Sequence, residues 1–208
     1  MRASLTHARG FARLNPVHAG SRAEIDAALG AGADVLMVPM VRSVDQAAAF
    51  AGLVNGRAVT VVLVEHRDAV EQLDAIVSIA GVDEIHIGVN DLSLSLGLTR
   101  RWAVFAGSLM RDVADCVRRA QRPFGFGGIG LPDDTDLPVP SDLVYAEHAR
   151  LGATRALLSR SFGFGITSTA AHVQAARARL AAWRAATPDA LESAHAALER
   201  AVERSTHW

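Results

Sequence analysis

The sequence has one cysteine, Cys116, and therefore no internal disulfide. That residue falls in a helical pattern with Met110, Val113, Ala114 and Val117, which reads it as a buried structural thiol. Neither sign of charge is in excess: 21 Lys+Arg stand against 22 Asp+Glu, a net charge of −1 with a pI near 6.7. Without a basic field, nucleic acid and anionic membranes are excluded as partners, while a local patch for a small anionic substrate stays open. The chain also lacks any run of the ~18 to 20 apolar residues that a membrane span needs, and its start, Met-Arg-Ala-Ser-Leu-Thr-His, lacks the apolar stretch of a signal peptide. A cytoplasmic chain is the expectation. What is present is 208 residues, 50% of them apolar, which describes a globular chain with a sizeable core and not a disordered tail.

Strand and helix patterns alternate with almost no long linker. Strands are expected at Gly10 to Asn15, Asp34 to Met40, Val59 to Glu65, Glu84 to Gly88, Phe124 to Ile129 and Arg155 to Ser159. Ser21 and Glu24 form a capping box for a helix over Arg22 to Leu29, and Ser43 opens another over Val44 to Val54, closed by Asn55-Gly56. Further helices are predicted over Asp68 to Ile79, Arg101 to Gln121 and Ser141 to Gly152. Six β-then-α units in series indicate a parallel α/β sheet, and a strand such as Val59-Thr60-Val61-Val62-Leu63-Val64 is apolar on both faces, as a sheet covered by helices requires. From residue 167 onward the chain turns Ala-rich and helical, breaks at Thr187-Pro188 and resumes to about Arg204. The division expected is a barrel-like domain over 1–166 and a helical extension over 167–208, packed across the barrel end or onto a neighbouring subunit. Leu131 to Pro140, with three Asp and three Pro, reads as a lid or a solvated connection.

In parallel β/α folds ligands bind at the carboxyl ends of the strands. Those ends read Arg13-Leu14-Asn15-Pro16, Val38-Pro39, Glu65-His66, Gly88-Val89-Asn90-Asp91, Gly127-Gly128 and Ser159-Arg160-Ser161. Parallel neighbours lie ~4.8 Å apart, so carboxylates at two adjacent ends, Glu65 and Asp91, can reach one cation. Two carboxylates with water and substrate oxygens suit a hard divalent cation, Mg²⁺ or Mn²⁺. The plainer alternatives are an arginine partner for Glu65 and a capping role for Asp91 at a turn through Leu92 and Ser93. Gly127, Gly128, Ser159 and Arg160 follow the last two strands, where barrels commonly hold phosphate through backbone N–H groups; an anionic substrate tail is one reading and a tight turn the other. His86, between Ile85 and Ile87, reads as a hydrogen-bonded structural residue, while His66 and His148 stand where they could move a proton.

Several ordered stretches carry a resemblance. Arg13-Leu14-Asn15-Pro16, Gly32 to Met40, Val64 to Ile76 and Gly81 to Gly97 are similar to the HpcH/HpaI aldolase/citrate lyase family, and Phe124 to Ile129, Glu147 to Gly152 and Leu158 to Phe162 resemble a branch of it. The resemblance implies a TIM-barrel (β/α)8 fold and a divalent-metal-dependent aldolase or lyase that makes or breaks a C–C bond beside a 2-oxo acid such as pyruvate, the metal stabilising the enolate. It assigns Glu65 and Asp91 as metal ligands and Arg13 as the catalytic, substrate-contacting arginine, with Gly88, Val89 and Asn90 around the substrate carboxylate. The family barrel begins with two further βα units, the second bearing a catalytic histidine, whereas only twelve residues precede Arg13 here. Six strands are therefore expected, with edges covered by the C-terminal helices or a neighbouring chain, or with a start codon placed late. The function expected is the lyase, probed against a catalytically inactive relative that binds a small metabolite or assembles with a partner subunit. A homo-oligomer built through the C-terminal helices is the quaternary expectation.

Overall fold

The computed structural model describes residues 8–135, 137–159, 162 and 169–205. Six parallel strands hydrogen-bond in chain order: β1 (Phe11–Arg13), β2 (Val35–Val38), β3 (Val59–Val64), β4 (Glu84–Ile87), β5 (Phe124–Ile129) and β6 (Arg155–Leu158). A sequential parallel order has one cause, a crossover of the same hand after every strand, and it curls the sheet into a half-barrel with helices outside. The crossovers are α1 (Ser21–Gly30), α2 (Val44–Val54), α3 (Arg67–Glu71) with α4 (Leu73–Val77), α5 (Val89–Ser95), a 3₁₀ helix (Arg101–Phe105) with α6 (Leu109–Arg119), and α7 (Ser141–Arg150). The tail forms α8 (Thr169–Arg184) and α9 (Pro188–Arg204). No helix among the described residues is long and apolar enough to cross a membrane.

The two-residue period of each strand divides its side chains between two layers. Leu36, Val38, Val62, Val64, Ile85, Ile87, Phe124 and Phe126 face the helices and build the main core. Met37, Val61 and Leu63, with Val35, Val59 and Leu157 beside them, form a small separate cluster on the other, concave face. Register sets this directly: Met37 pairs with Val61, Leu63 with His86, and His86 with Gly125. Carrying that alternation one step past Leu63 puts Glu65 on the concave face at the strand's carboxyl end.

The tail packs within the chain. Ala176 of α8 and Leu198, Ala201 and Val202 of α9 join the main core. Arg179 donates to Asp142 at 2.6 Å and to Asp133 at 2.9 Å, which ties the Leu131–Pro140 connection to α8. Beneath α9 lies a buried ionic cluster: Glu147 accepts both arms of Arg150 at 2.9 and 2.6 Å and faces His195 Nδ1 at 3.1 Å.

Several local expectations need correction. Ser21 is the first residue of α1 and does not cap it; its Oγ accepts the His18 N–H, and Glu24 turns back to accept the Asn15 backbone and side-chain N–H groups. The helix expected over 68–79 is broken at Gln72, whose side chain accepts the Val44 N–H and donates to Arg42 O. The one expected over 101–121 is split at Gly107, where φ is +83°. By contrast, Ser43 caps α2 by accepting the Gln46 N–H, and Asn55 closes it in the left-handed region.

Candidate functional site

Glu65 follows β3 and is 4% exposed. Its Oε1 accepts the Met40 backbone N–H at 2.8 Å. Met40 holds φ +55°, a conformation that costs a non-glycine residue about 1 to 2 kcal/mol, and that backbone serves as a donor aimed at the carboxylate. Across the next strand end, a Cβ on Gly88 would lie 2.5 Å from Glu65 Oε2 and 2.6 Å from Glu65 Cβ. Only glycine leaves Glu65 its place.

Directly after Gly88 begins α5, whose third residue is the exposed Asp91. Burial pushes the Glu65 carboxyl above its ordinary value; the Met40 N–H pulls it back, the Asp91 carboxylate within hydrogen-bonding reach raises it again, and the Arg13 guanidinium lowers it. The structure thus brings Arg13, Glu65, Gly88 and Asp91 together at one mouth of the half-barrel. Ser95 Oγ braces the two carboxylate-bearing elements, accepting the Arg67 N–H at 3.0 Å and donating to Leu92 O at 2.9 Å.

Two facing carboxylates, one of them buried and destabilised as an anion, suit a cation between them. Among the described residues no group of three or more His, Cys, Asp or Glu could hold a metal ion. A cation here would therefore have two protein ligands and open positions for water and substrate oxygens.

The remaining sequence-predicted residues lie elsewhere. Gly127 and Gly128 belong to β5, two strands from β3; Gly128 sits at a bulge with φ +98°, and the Trp102 indole covers its Cα so closely that no Cβ fits. Ser159 donates its N–H to Ile129 O at 2.7 Å. Arg160 and Ser161 are outside the described residues. His66 accepts the Asp68 N–H through Nδ1 and so caps α3. His148 does not stand at the mouth: it is 1% exposed, stacked on Phe126 with ring centroids 3.6 Å apart, and burial holds it down to about 4. His86 lies buried within β4, and the hydrogen bonding expected of it is incomplete, since its Nε2 has no partner among the described residues. A depression of about 400 Å³ lined by Arg118, Arg122, Phe124 and Arg155 lies at the amino ends of β5 and β6, the end opposite the carboxylates.

Sequence reasoning missed the Met40 N–H, because a backbone donor leaves no side-chain signature. It also missed Ser95 and the Trp102 cover.

Many solved structures share this fold, among them the three described next. The HpcH/HpaI aldolase from Desulfitobacterium hafniense DCB-2 is 18% identical, with a TM-score of 0.58 over 86% of this chain and 74% of that one. A citrate lyase from Burkholderia xenovorans LB400 is 14% identical, with a TM-score of 0.60 over 90% of this chain and 62% of that one. RipC from Yersinia pestis is 12% identical, with a TM-score of 0.60 over 87% of this chain and 79% of that one. The chain thus spans between 62% and 79% of the length of these relatives. No curated protein matches it. The family model for HpcH/HpaI aldolase/citrate lyase matches residues 1–127, which include Arg13, Glu65, Gly88 and Asp91 and stop before Gly128. On that match, the chain belongs to the HpcH/HpaI aldolase/citrate lyase family.

Proposed function

We propose that the protein is a divalent-metal-dependent lyase that breaks or forms a C–C bond beside a 2-oxo acid of the pyruvate class. The observation that carries this reading is the buried Glu65 carboxylate facing Asp91, with Arg13 beside them. A second observation narrows the chemistry. The chain contains no lysine, all 21 of its Lys+Arg being arginine, so a Schiff base between a side-chain amine and the keto group has no residue here to carry it.

Glu65 and Asp91 would hold Mg²⁺ or Mn²⁺. A bound cation supplies a Lewis acid that polarises the keto oxygen and offsets the charge collecting there as the neighbouring bond breaks. Met40 N–H and the absent Cβ of Gly88 fix the Glu65 carboxylate in place. Arg13, exposed at the end of β1, would bind a substrate carboxylate or the developing alkoxide through charge-assisted hydrogen bonds. Gly88 and the first residues of α5, Val89 and Asn90, border the same mouth, and their backbone would face the carboxylate of the 2-oxo acid.

A second reading is a relative that binds the same ligands without turnover. It is favoured by one observation: among the described residues no histidine joins the two carboxylates in a group that could hold a metal ion. Solvent-deuterium exchange into the methyl group of pyruvate, with Mg²⁺ or Mn²⁺ present, separates the two. Exchange that disappears in Glu65→Ala supports the lyase. Binding of Mn²⁺ and pyruvate with no exchange above the Glu65→Ala background supports the silent relative.

A further inference from the structure

Asp91 sits on a helix of seven residues, too short to be stable or placed by its own hydrogen bonds. Its position must come from what holds α5. On one side Ser93, fully buried two residues beyond Asp91, donates its Oγ to Arg101 O at 2.6 Å, and Leu98 N–H donates back to Ser93 O at 2.9 Å. Arg101 opens the 3₁₀ helix, and the residue before it, Arg100, donates Nε to Ser205 O at 3.0 Å, a contact across 105 positions. Ser205 is the C-cap of α9, where the unsatisfied carbonyls and the helix dipole favour a cation. The end of the last helix is thus joined to the Asp91 helix by two side chains in series.

We infer that Arg100 and Ser93 are positioning residues through which α9 sets the place of the Asp91 carboxylate, so that metal affinity depends on the docking of the C-terminal helix. The inference rests on the metal reading of Glu65 and Asp91. It adds that the tail is part of the ligand's support and not only a cover for the core. Loss of the Arg100 contact frees the start of the 3₁₀ helix, and loss of the Ser93 hydroxyl uncouples that helix from α5. Either change widens the range of positions Asp91 samples relative to Glu65, whose carboxylate the Met40 N–H holds separately.

Mn²⁺ titration of the full chain, followed by the electron paramagnetic resonance signal of free and bound ion, tests this with no recourse to turnover. Arg100→Ala and Ser93→Ala are each expected to weaken Mn²⁺ binding by about tenfold, the low end of what partners of metal ligands cost. Arg100→Lys, which keeps a donor for Ser205 O, should recover most of the affinity. Far-ultraviolet circular dichroism checks that each variant is folded, and Ser93→Ala, which removes one oxygen, serves if Arg100→Ala is not. Wild-type affinity in both alanine variants, with binding lost in Glu65→Ala, would overturn the positioning role and leave the metal site standing. Wild-type affinity in Glu65→Ala would overturn the metal site itself, and the inference with it.

Discussion

The ends of β3 and β4 and the ends of β5 and β6 both pair glycine with polar residues, yet the two glycines answer different demands. At Gly88 the space a Cβ would fill is taken by the Glu65 carboxylate, a charged group held in a place where nothing apolar would need it. At Gly128 the space is taken by the Trp102 indole, which also packs on Phe105 with ring centroids 5.6 Å apart and continues the aromatic stack to Phe126. One glycine serves chemistry and the other closes the end of the core. A glycine at a strand end therefore says only that something approaches closely; what approaches decides its meaning.

Alanine at the two positions should separate these roles. Gly88→Ala drives a methyl group into Glu65 and is expected to abolish Mn²⁺ binding and reduce deuterium exchange to the Glu65→Ala level, at a stability cost of about 1 to 3 kcal/mol from overpacking. Gly128→Ala combines a clash against Trp102 with a left-handed φ, so about 2 to 4 kcal/mol of stability should go while each folded molecule still binds Mn²⁺. Urea melts paired with the metal titration measure both. Metal binding retained in Gly88→Ala, or lost in folded Gly128→Ala, would erase the distinction.

The sequence carried the scaffold well where one signal acted alone. A continuous run of apolar and β-branched residues placed β3, and Ser43 with Asn55-Gly56 bounded α2, because these features act over one turn or one strand. It misled where a side chain had a distant partner: Glu24 matches a capping box but is taken by Asn15, and Gln72 reads as helical but reaches across to α2. The site was legible as a pair of carboxylates, Glu65 and Asp91, because acidic residues after apolar strands are rare enough to stand out. The groups that hold that pair were not legible, since Met40 acts through its backbone and Arg100 through a residue 105 positions away.

A second contrast lies between the carboxylates at the mouth and the two histidines inside. Burial pushes His86 down to about 3 and His148 down to about 4, from an ordinary 6.5. Both His148 nitrogens face carbonyl oxygens, Val144 O at 2.9 Å and Phe126 O at 3.1 Å, an arrangement only the imidazolium could satisfy twice; burial still wins. Folded values below unfolded ones mean that the folded state binds fewer protons, so this stability is present above pH 6.5 and is lost as pH falls toward 4. At pH 5 each histidine should cost about 2 kcal/mol relative to pH 7. His86→Met should shrink the difference in urea stability between those two pH values by about that amount. An unchanged difference would show that His86 takes up its proton in the folded state.

Glu65 titrates with the opposite sign. Its folded value is raised, chiefly by burial, so between its unfolded and folded values the folded state binds the extra proton and stability falls as pH rises. Above the folded value the penalty of an ionised, buried carboxylate beside Asp91 is fully present, and among the described residues Arg13 and the Met40 N–H offset it. Glu65→Gln keeps the shape and removes the charge. In metal-free buffer at pH 7 this substitution should raise the melting temperature by a few degrees, while at pH 4, where wild-type Glu65 holds its proton, the two proteins should melt together. Adding Mn²⁺ at pH 7 should reverse the order, since the ion stabilises only the chain that still has its ligand. A metal-free Glu65→Gln that melts below wild type at pH 7 would mean that the Arg13 and Met40 contacts outweigh the cost of burying the charge, and that the carboxylate is placed there by its neighbours with no cation required.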